Sequence, residues 1–263
     1  VPTCLSTVLK SVLEQRLERN KKTMPSTQSH TSYEGRDLEV MAFAKRYHRW
    51  ILNELQPFLG SEVIEVGAGS GNFSSFLLET NIKKLLALEP SKEMYPLLVK
   101  KLASEPRATV AQALFGDMRK QFHSSFDSVV YINVLEHIEK DAQELRYMYE
   151  SLKPGGHVCI FVPALQQLYS ETDAALGHYR RYTKPQLKQL LTEAGFDIVR
   201  ITYFDIVGIL PWFVFCKLLK KKLQPGDVAL YDTLVVPIMR TIESMLYIPI
   251  GKNLLAVGKK SLN

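Results

Sequence analysis

The chain has 263 residues, of which 46% are hydrophobic and 23% charged, with 33 basic against 27 acidic side chains and a formal charge of +6. That balance is ordinary for a globular protein of one large domain, with or without an appendage, and the mild basic excess does not by itself call for nucleic acid. Three scattered cysteines, Cys4, Cys159 and Cys216, suggest a reducing compartment and argue against a disulfide framework or a zinc site.

Val1 to Leu13 has polar interruptions and no basic n-region, which argues against a signal peptide. Leu5, Val8, Leu9, Val12, Leu13 and Leu17 recur at helical spacing, and a polar, aperiodic stretch follows from Thr23 to Ser32. Residues 1–35 therefore read as a helical extension and linker. The extension is either a packing element or a lid or dimer contact. The main domain is expected over residues 36–263. It opens with an aromatic-rich helix from Asp37 to Leu55 that carries Phe43, Tyr47 and Trp50 and ends before Pro57 and Gly60.

Val63 to Val66 reads as a short buried strand. It breaks into Gly67-Ala68-Gly69-Ser70-Gly71, and Asn72-Phe73 starts a helical pattern. A strand that enters a helix through a glycine turn puts backbone N–H groups and a helix N-terminus over one pocket. Beyond it, strands near 84–89, 109–113, 127–132, 157–162 and 196–203 alternate with helices at 92–103, 139–152 and 184–194. The expected fold is α/β, a doubly wound Rossmann-like sheet of seven strands, the last being Asn253 to Gly258.

The G-x-G-x-G turn preceded by Glu65 resembles motif I of the class I S-adenosylmethionine methyltransferases. Leu85 to Glu89, Gly116-Asp117-Met118, Phe126 to Ile138 and Leu152 to Gly156 resemble later segments of that family, in order, over about residues 40–205. The resemblance implies S-adenosylmethionine as cofactor and S-adenosylhomocysteine as product. It places Glu65, Gly67, Ala68, Gly69, Gly71 and Asn72 in the cofactor loop, Glu89 and Pro90 by the ribose, Asp117 and Met118 by the adenine, and Asn133 nearby. It also puts Tyr47 at the border of the active site and makes the last strand antiparallel. A dinucleotide fingerprint would need a third glycine at Asn72, which argues against a nicotinamide-dependent oxidoreductase.

Residues 206–252 stand where the family often has a tight hairpin, so a helical cap is expected there. The run Ile206 to Cys216 is the most apolar in the chain and includes Trp212. As a helix it spans about 17 Å, too short for a hydrocarbon core of about 30 Å. Lys217 and Lys220-Lys221-Lys222 follow at once. The segment can be a pocket wall, a homodimer face or, over 206–222, a peripheral membrane contact.

Two histidines are candidate bases for an acceptor that must lose a proton. His137 follows the fourth strand. His178 lies in Gly177-His178-Tyr179-Arg180-Arg181-Tyr182, a loop expected over the active edge, where Tyr179, Arg180, Arg181 and Tyr182 are candidate acceptor-binding residues. Glu136 with His137 is similar to a pair that holds a divalent metal in a few family members. No third ligand is visible in the sequence, and no metal is expected. Tyr-x-x-x-Asp at 169–173 followed by Gly-His-Tyr-Arg-Arg-Tyr at 177–182, together with Pro249 to Leu254, resembles a bacterial subgroup associated with glycan or lipid assembly, although serine is more usual at Asn253. The expected function is methyl transfer, by O-methylation, to a small-molecule, sugar or lipid-like acceptor, with no nucleic-acid partner, in the cytoplasm or at the membrane surface. A non-catalytic S-adenosylmethionine-binding subunit is the alternative.

Overall fold

The computed structural model describes residues 44–221 and 224–262. The extension over 1–35 and the start of the aromatic-rich helix, Phe43 included, lie outside the described residues. From Lys45 to Leu55 that helix is present, and its buried face carries Tyr47, Trp50, Ile51 and Leu55. These side chains recur at helical spacing, so one stripe meets the sheet.

Seven strands form one sheet in the order β3-β2-β1-β4-β5-β7-β6. They are β1 (Glu62–Val66), β2 (Lys84–Leu88), β3 (Ala108–Ala111), β4 (Phe126–Ile132), β5 (Leu152–Pro163), β6 (Asp197–Phe204) and β7 (Asn253–Lys259). β1 to β5 pair in parallel, whereas β7 runs antiparallel between β5 and β6. The carboxyl ends of β1, β2, β4 and β5 therefore share one edge, the edge at which ligands bind in open α/β sheets. β6 ends and β7 begins at that edge too, so the segment joining them emerges beside the site.

The segment Leu152 to Gly156 lies inside β5 and carries a bulge. Leu152 pairs with Phe126, the next pair is His157 with Ser128, and residues 153–156 bulge between them. Gly156 permits the close approach: a Cβ there would stand 2.9 Å from the Lys153 carbonyl and 3.0 Å from that of Asp127. Helix Lys184–Glu193 is capped by Thr183, whose side chain accepts from the Gln186 N–H. Gly195 follows its end with φ 101°.

Between β6 and β7 the chain forms a helical cap. Ile209–Pro211 runs on into a π-helical segment, Trp212–Leu218. Pro225–Leu230, Tyr231–Val235 and Val236–Met245 make a second, longer rod. Three acids anchor the cap. Asp232 accepts from the Arg46 and Tyr47 N–H groups at 3.0 and 2.8 Å and so closes the open first turn of helix Lys45–Leu55. Glu243 accepts from the Asp205 and Ile206 N–H groups at 3.1 and 2.8 Å. Asp205, fully buried, takes Lys252 Nζ at 2.9 Å, the Gly208 N–H at 3.0 Å and the hydroxyls of Tyr47 and Tyr231.

Candidate functional site at the carboxyl edge of the sheet

The glycine turn after β1 has the backbone its sequence demands. Gly67, Gly69 and Gly71 have φ of 70, 57 and 81°. A Cβ on Gly67 would stand 2.5 Å from the Val134 side chain, so only glycine lets β1 and β4 end this close together. Gly71 precedes helix Asn72–Leu78, and Asn72 accepts from Lys101 Nζ. Glu89, at the end of β2, is buried. Its carboxylate accepts the Gly69 N–H at 2.7 Å and the Ser91 N–H at 2.8 Å. Each oxygen retains acceptor capacity, as a pair of ribose hydroxyls would need. Pro90 beside it is exposed. Glu65 is buried under the turn and accepts from Ser74 Oγ at 2.5 Å. Burial, aided by the nearby Glu89 charge, pushes its carboxyl up to about 8 against the opposing pull of Ser74.

Further along the edge, helix Phe115–Met118 presents an exposed Asp117 and a buried Met118. Asn133 has φ 53° and donates its N–H to the Phe161 carbonyl at 2.8 Å, so β4 bends away at its end. These positions flank one cradle with a glycine surface, a buried acid and a helix N-terminus at Asn72. That cradle suits an adenosine-type cofactor with a cationic sulfur.

The His178 loop sits on the same edge. Tyr182 exchanges backbone hydrogen bonds with Pro163 and Leu165, and the Tyr179 N–H donates to the Glu136 carbonyl. His178 Nδ1 lies 3.0 Å from Asp173 Oδ1, and Arg181 Nε donates to the same oxygen at 2.8 Å. Burial would raise the Asp173 carboxyl, but hydrogen bonds from His178, Arg181 and Ser170 outweigh it and hold the group below the ordinary range. Asp173 is therefore ionised and can only accept, which places a proton on Nδ1, so that in the neutral ring the lone pair is on Nε2. The His137 ring lies edge-on to that of His178, with centroids 4.6 Å apart. Burial, reinforced by His178, lowers His137 to about 4.

The remaining candidate acceptor residues divide by exposure. Tyr179 is 54% exposed, whereas Arg181 and Tyr182 are buried. Arg181 serves Asp173. Tyr182 donates to Asp141, and Arg180 Nη1 also reaches Asp141, at 2.8 Å. Tyr47 is packed among Trp50, Phe161 and Phe204, with its hydroxyl turned to Asp205 and Asn253. Trp212 reaches the loop from the cap: its Nε1 donates to the Leu168 carbonyl at 3.3 Å, and Arg181 lies over its ring. Sequence reasoning named neither Asp173 as the orienter of His178 nor Asp205, Asp232 and Glu243 as anchors. The Ser170–Asp173 capping box was the one local signal for the first of these.

A family model described as "Methyltransferase domain" matches residues 10–201. A tRNA U34 carboxymethyltransferase of Syntrophotalea carbinolica is 24% identical over 57% of this chain and 49% of its own, so the chain spans about half of that relative. A ubiquinone biosynthesis O-methyltransferase of Xanthomonas axonopodis is 27% identical over 62% of this chain and 72% of its own. Among solved structures, a complex of the Haloferax volcanii Trm112 methyltransferase activator with a methyltransferase contains a chain that superimposes with a TM-score of 0.61 at 18% identity, covering 88% of this chain and 96% of that one. With a matching family model over most of its length, the expected strand order and a glycine cradle that closes against β4, this chain belongs to the S-adenosylmethionine-dependent class I methyltransferase family.

Proposed function

We propose that this chain methylates a hydroxyl oxygen of a small sugar- or lipid-like acceptor, with His178 taking the hydroxyl proton. The observation that carries the reading is the Asp173–His178 pair at the carboxyl edge. Bound S-adenosylmethionine supplies a methyl group already activated on a sulfonium. What remains for the chain is to align the acceptor and accept its proton. Asp173 fixes the tautomer and orientation of His178, so that Nε2 is the proton acceptor. Trp212 and the loop it touches form the wall and roof of the acceptor side. Oxygen as the acceptor atom is supported by the relative named as an O-methyltransferase.

A lipid-like acceptor at a membrane surface is supported by the cap. Leu230, Leu234, Ile238 and Met245 of the second rod, and Leu246 just past its end, are each more than half exposed. Lys217 lies in the last turn of the first, and Lys220 and Lys221 follow it. No helix among the described residues is long and apolar enough to cross a membrane, so contact would be peripheral.

The test is S-adenosylhomocysteine formation over a panel of soluble and lipid-linked hydroxyl acceptors, with the methylated atom assigned by NMR. His178→Ala is expected to lower turnover at least about 100-fold while leaving S-adenosylmethionine affinity within about twofold. Methyl label found only on nitrogen would overturn the oxygen assignment.

A further inference from the structure

Apart from the glycine cradle, the fold forms a cavity of about 660 Å3 where three helices meet. Helix Lys45–Leu55 supplies Lys45, Arg46 and Arg49, helix Tyr95–Leu102 supplies Lys101, and the cap helix Val236–Met245 supplies Arg240. Neither the glycines of the turn nor Glu89 nor His178 lines it, and of the cofactor loop only Asn72 reaches it. The volume falls within the range of about 300–1,000 Å3 that small-ligand sites occupy.

Glu79 is the one acid among the described residues of its lining, and Arg49 pairs with it. The other four cations point no side-chain donor at a carboxylate. Arg46 Nη1 donates to the Thr233 carbonyl at 2.7 Å, and Lys101 donates to the Asn72 amide oxygen. Lys45 and Arg240 are exposed, and their side chains make no ion pair or hydrogen bond among the described residues. The nearby Asp232 is engaged by the backbone N–H groups of Arg46 and Tyr47. Two groups further in register the excess of positive charge. Burial, reinforced by Lys45, lowers the Lys101 ammonium, and burial, reinforced by Lys101, lowers His48 to about 4. Three elements distant in the sequence thus bring together cations that repel one another, an arrangement that an entering anion would relieve.

We propose that this cavity binds a phosphate monoester or diphosphate group, at a site separate from those of the methyl donor and the acceptor oxygen. A compact group with two or more negative charges answers four uncompensated cations better than a single carboxylate does, and the guanidinium forks of Arg46 and Arg240 suit phosphate oxygens. Pro237 lines the cavity, and its neighbour Ile238, 61% exposed, is one of the outward apolar residues of the same rod. A lipid phosphate would seat its headgroup in the cavity with its chains along that rod, whereas a soluble phosphate ester would use the cavity alone. The site does not depend on which acceptor atom is methylated.

The experiment titrates the full chain with sodium pyrophosphate by calorimetry, in saturating S-adenosylhomocysteine so that the glycine cradle is filled. One saturable site per chain is expected, weaker at high salt. Lys45→Ala and Arg240→Ala should each weaken it at least about fivefold, and Glu79→Gln, which removes the one acid, should tighten it about two- to fivefold. The exposed Lys188→Ala, on helix Lys184–Glu193, should leave it unchanged. None of these variants should move S-adenosylhomocysteine affinity by more than about twofold. A second arm uses phosphatidylcholine vesicles containing phosphatidic acid. Cosedimentation that pyrophosphate displaces and Arg240→Ala weakens is expected and assigns the phosphate to a lipid; pyrophosphate binding without such cosedimentation assigns it to a soluble ester. Absence of saturable pyrophosphate binding, its loss when S-adenosylhomocysteine is added, or titrations that Lys45→Ala and Arg240→Ala leave unchanged would overturn the site.

Discussion

The Arg181 guanidinium lies 4.6 Å over the ring of Trp212, and its Nε donates to Asp173. One buried side chain thus ties the cap to the carboxylate that orients His178. Removal of the indole should disturb the acceptor side without touching the glycine cradle.

Trp212→Ala removes a cation–π contact and the hydrogen bond to the Leu168 carbonyl. Together these contribute about 2 kcal/mol, or about 4–8 °C in melting temperature for a chain of this size. The acceptor KM is expected to rise about 10-fold, with S-adenosylmethionine affinity within about twofold. Calorimetry and initial rates separate the two effects. An unchanged KM would remove Trp212 from the acceptor wall.

Glu89 takes two backbone N–H groups of its own protein and keeps acceptor capacity for the ribose. Glu89→Ala should weaken S-adenosylmethionine by about 2–4 kcal/mol, about 30- to 1,000-fold. Glu89→Gln should fall between that and wild type, because it keeps one acceptor oxygen. Isothermal titration checks both, and unchanged affinity in the alanine variant refutes the ribose assignment.

The glycine turn and the alternation of strands and helices were legible because each rests on local pattern, whereas the antiparallel direction of the last strand came from the family resemblance alone. Glycines at Gly67, Gly69 and Gly71 announce their backbone, and short apolar runs announce buried strands. The bulge at residues 153–156 was not legible, because a Pro-Gly-Gly sequence reads equally as a turn, and only pairing with β4 decides. Arg180, Arg181 and Tyr182 look like free recognition groups until the fold supplies Asp141 from 39 to 41 residues away and Asp173 from eight. Likewise Asp232 reads as a surface acid, yet it closes a helix that begins 187 positions earlier in the chain, at Lys45. Long-range charge partners leave no periodic trace.

Glu65 gives a pH signature. Its folded carboxyl is pushed up to about 8, chiefly by burial, above an unfolded value of about 4.3. The folded chain therefore holds this proton more tightly than the unfolded chain. The stability it contributes is full below about pH 4.3 and is lost as pH rises through about 8. Between pH 5 and pH 8.5 the wild-type chain should lose a few kcal/mol that Glu65→Gln retains. Urea titrations of both proteins across that range test the sign, and parallel pH profiles would show that Glu65 is ionised in the folded chain.

The outer stripe of the cap supplies the last prediction. Leu234 and Ile238 are 58% and 61% exposed, one helical turn apart, so glutamine at both leaves the core intact. Each side chain gains about 1 kcal/mol on entering a lipid interface from that half-exposed state. Lys221 adds about 1 kcal/mol near anionic headgroups, an attraction screened by salt, whereas Lys217 is held by the Gln167 carbonyl and Lys220 pairs with Glu171. The wild-type chain should therefore sediment with vesicles containing phosphatidylglycerol, less so at high salt, and weakly with neutral vesicles. The Leu234→Gln, Ile238→Gln double variant should bind at least about 10-fold less while keeping its S-adenosylmethionine affinity. If methylation of a lipid-linked acceptor depends on this contact, the same variant loses rate on vesicles and keeps it on a soluble analogue of the acceptor. A wild-type chain that stays in the supernatant with both vesicle types would remove the membrane from the proposal and leave the apolar stripe to another partner.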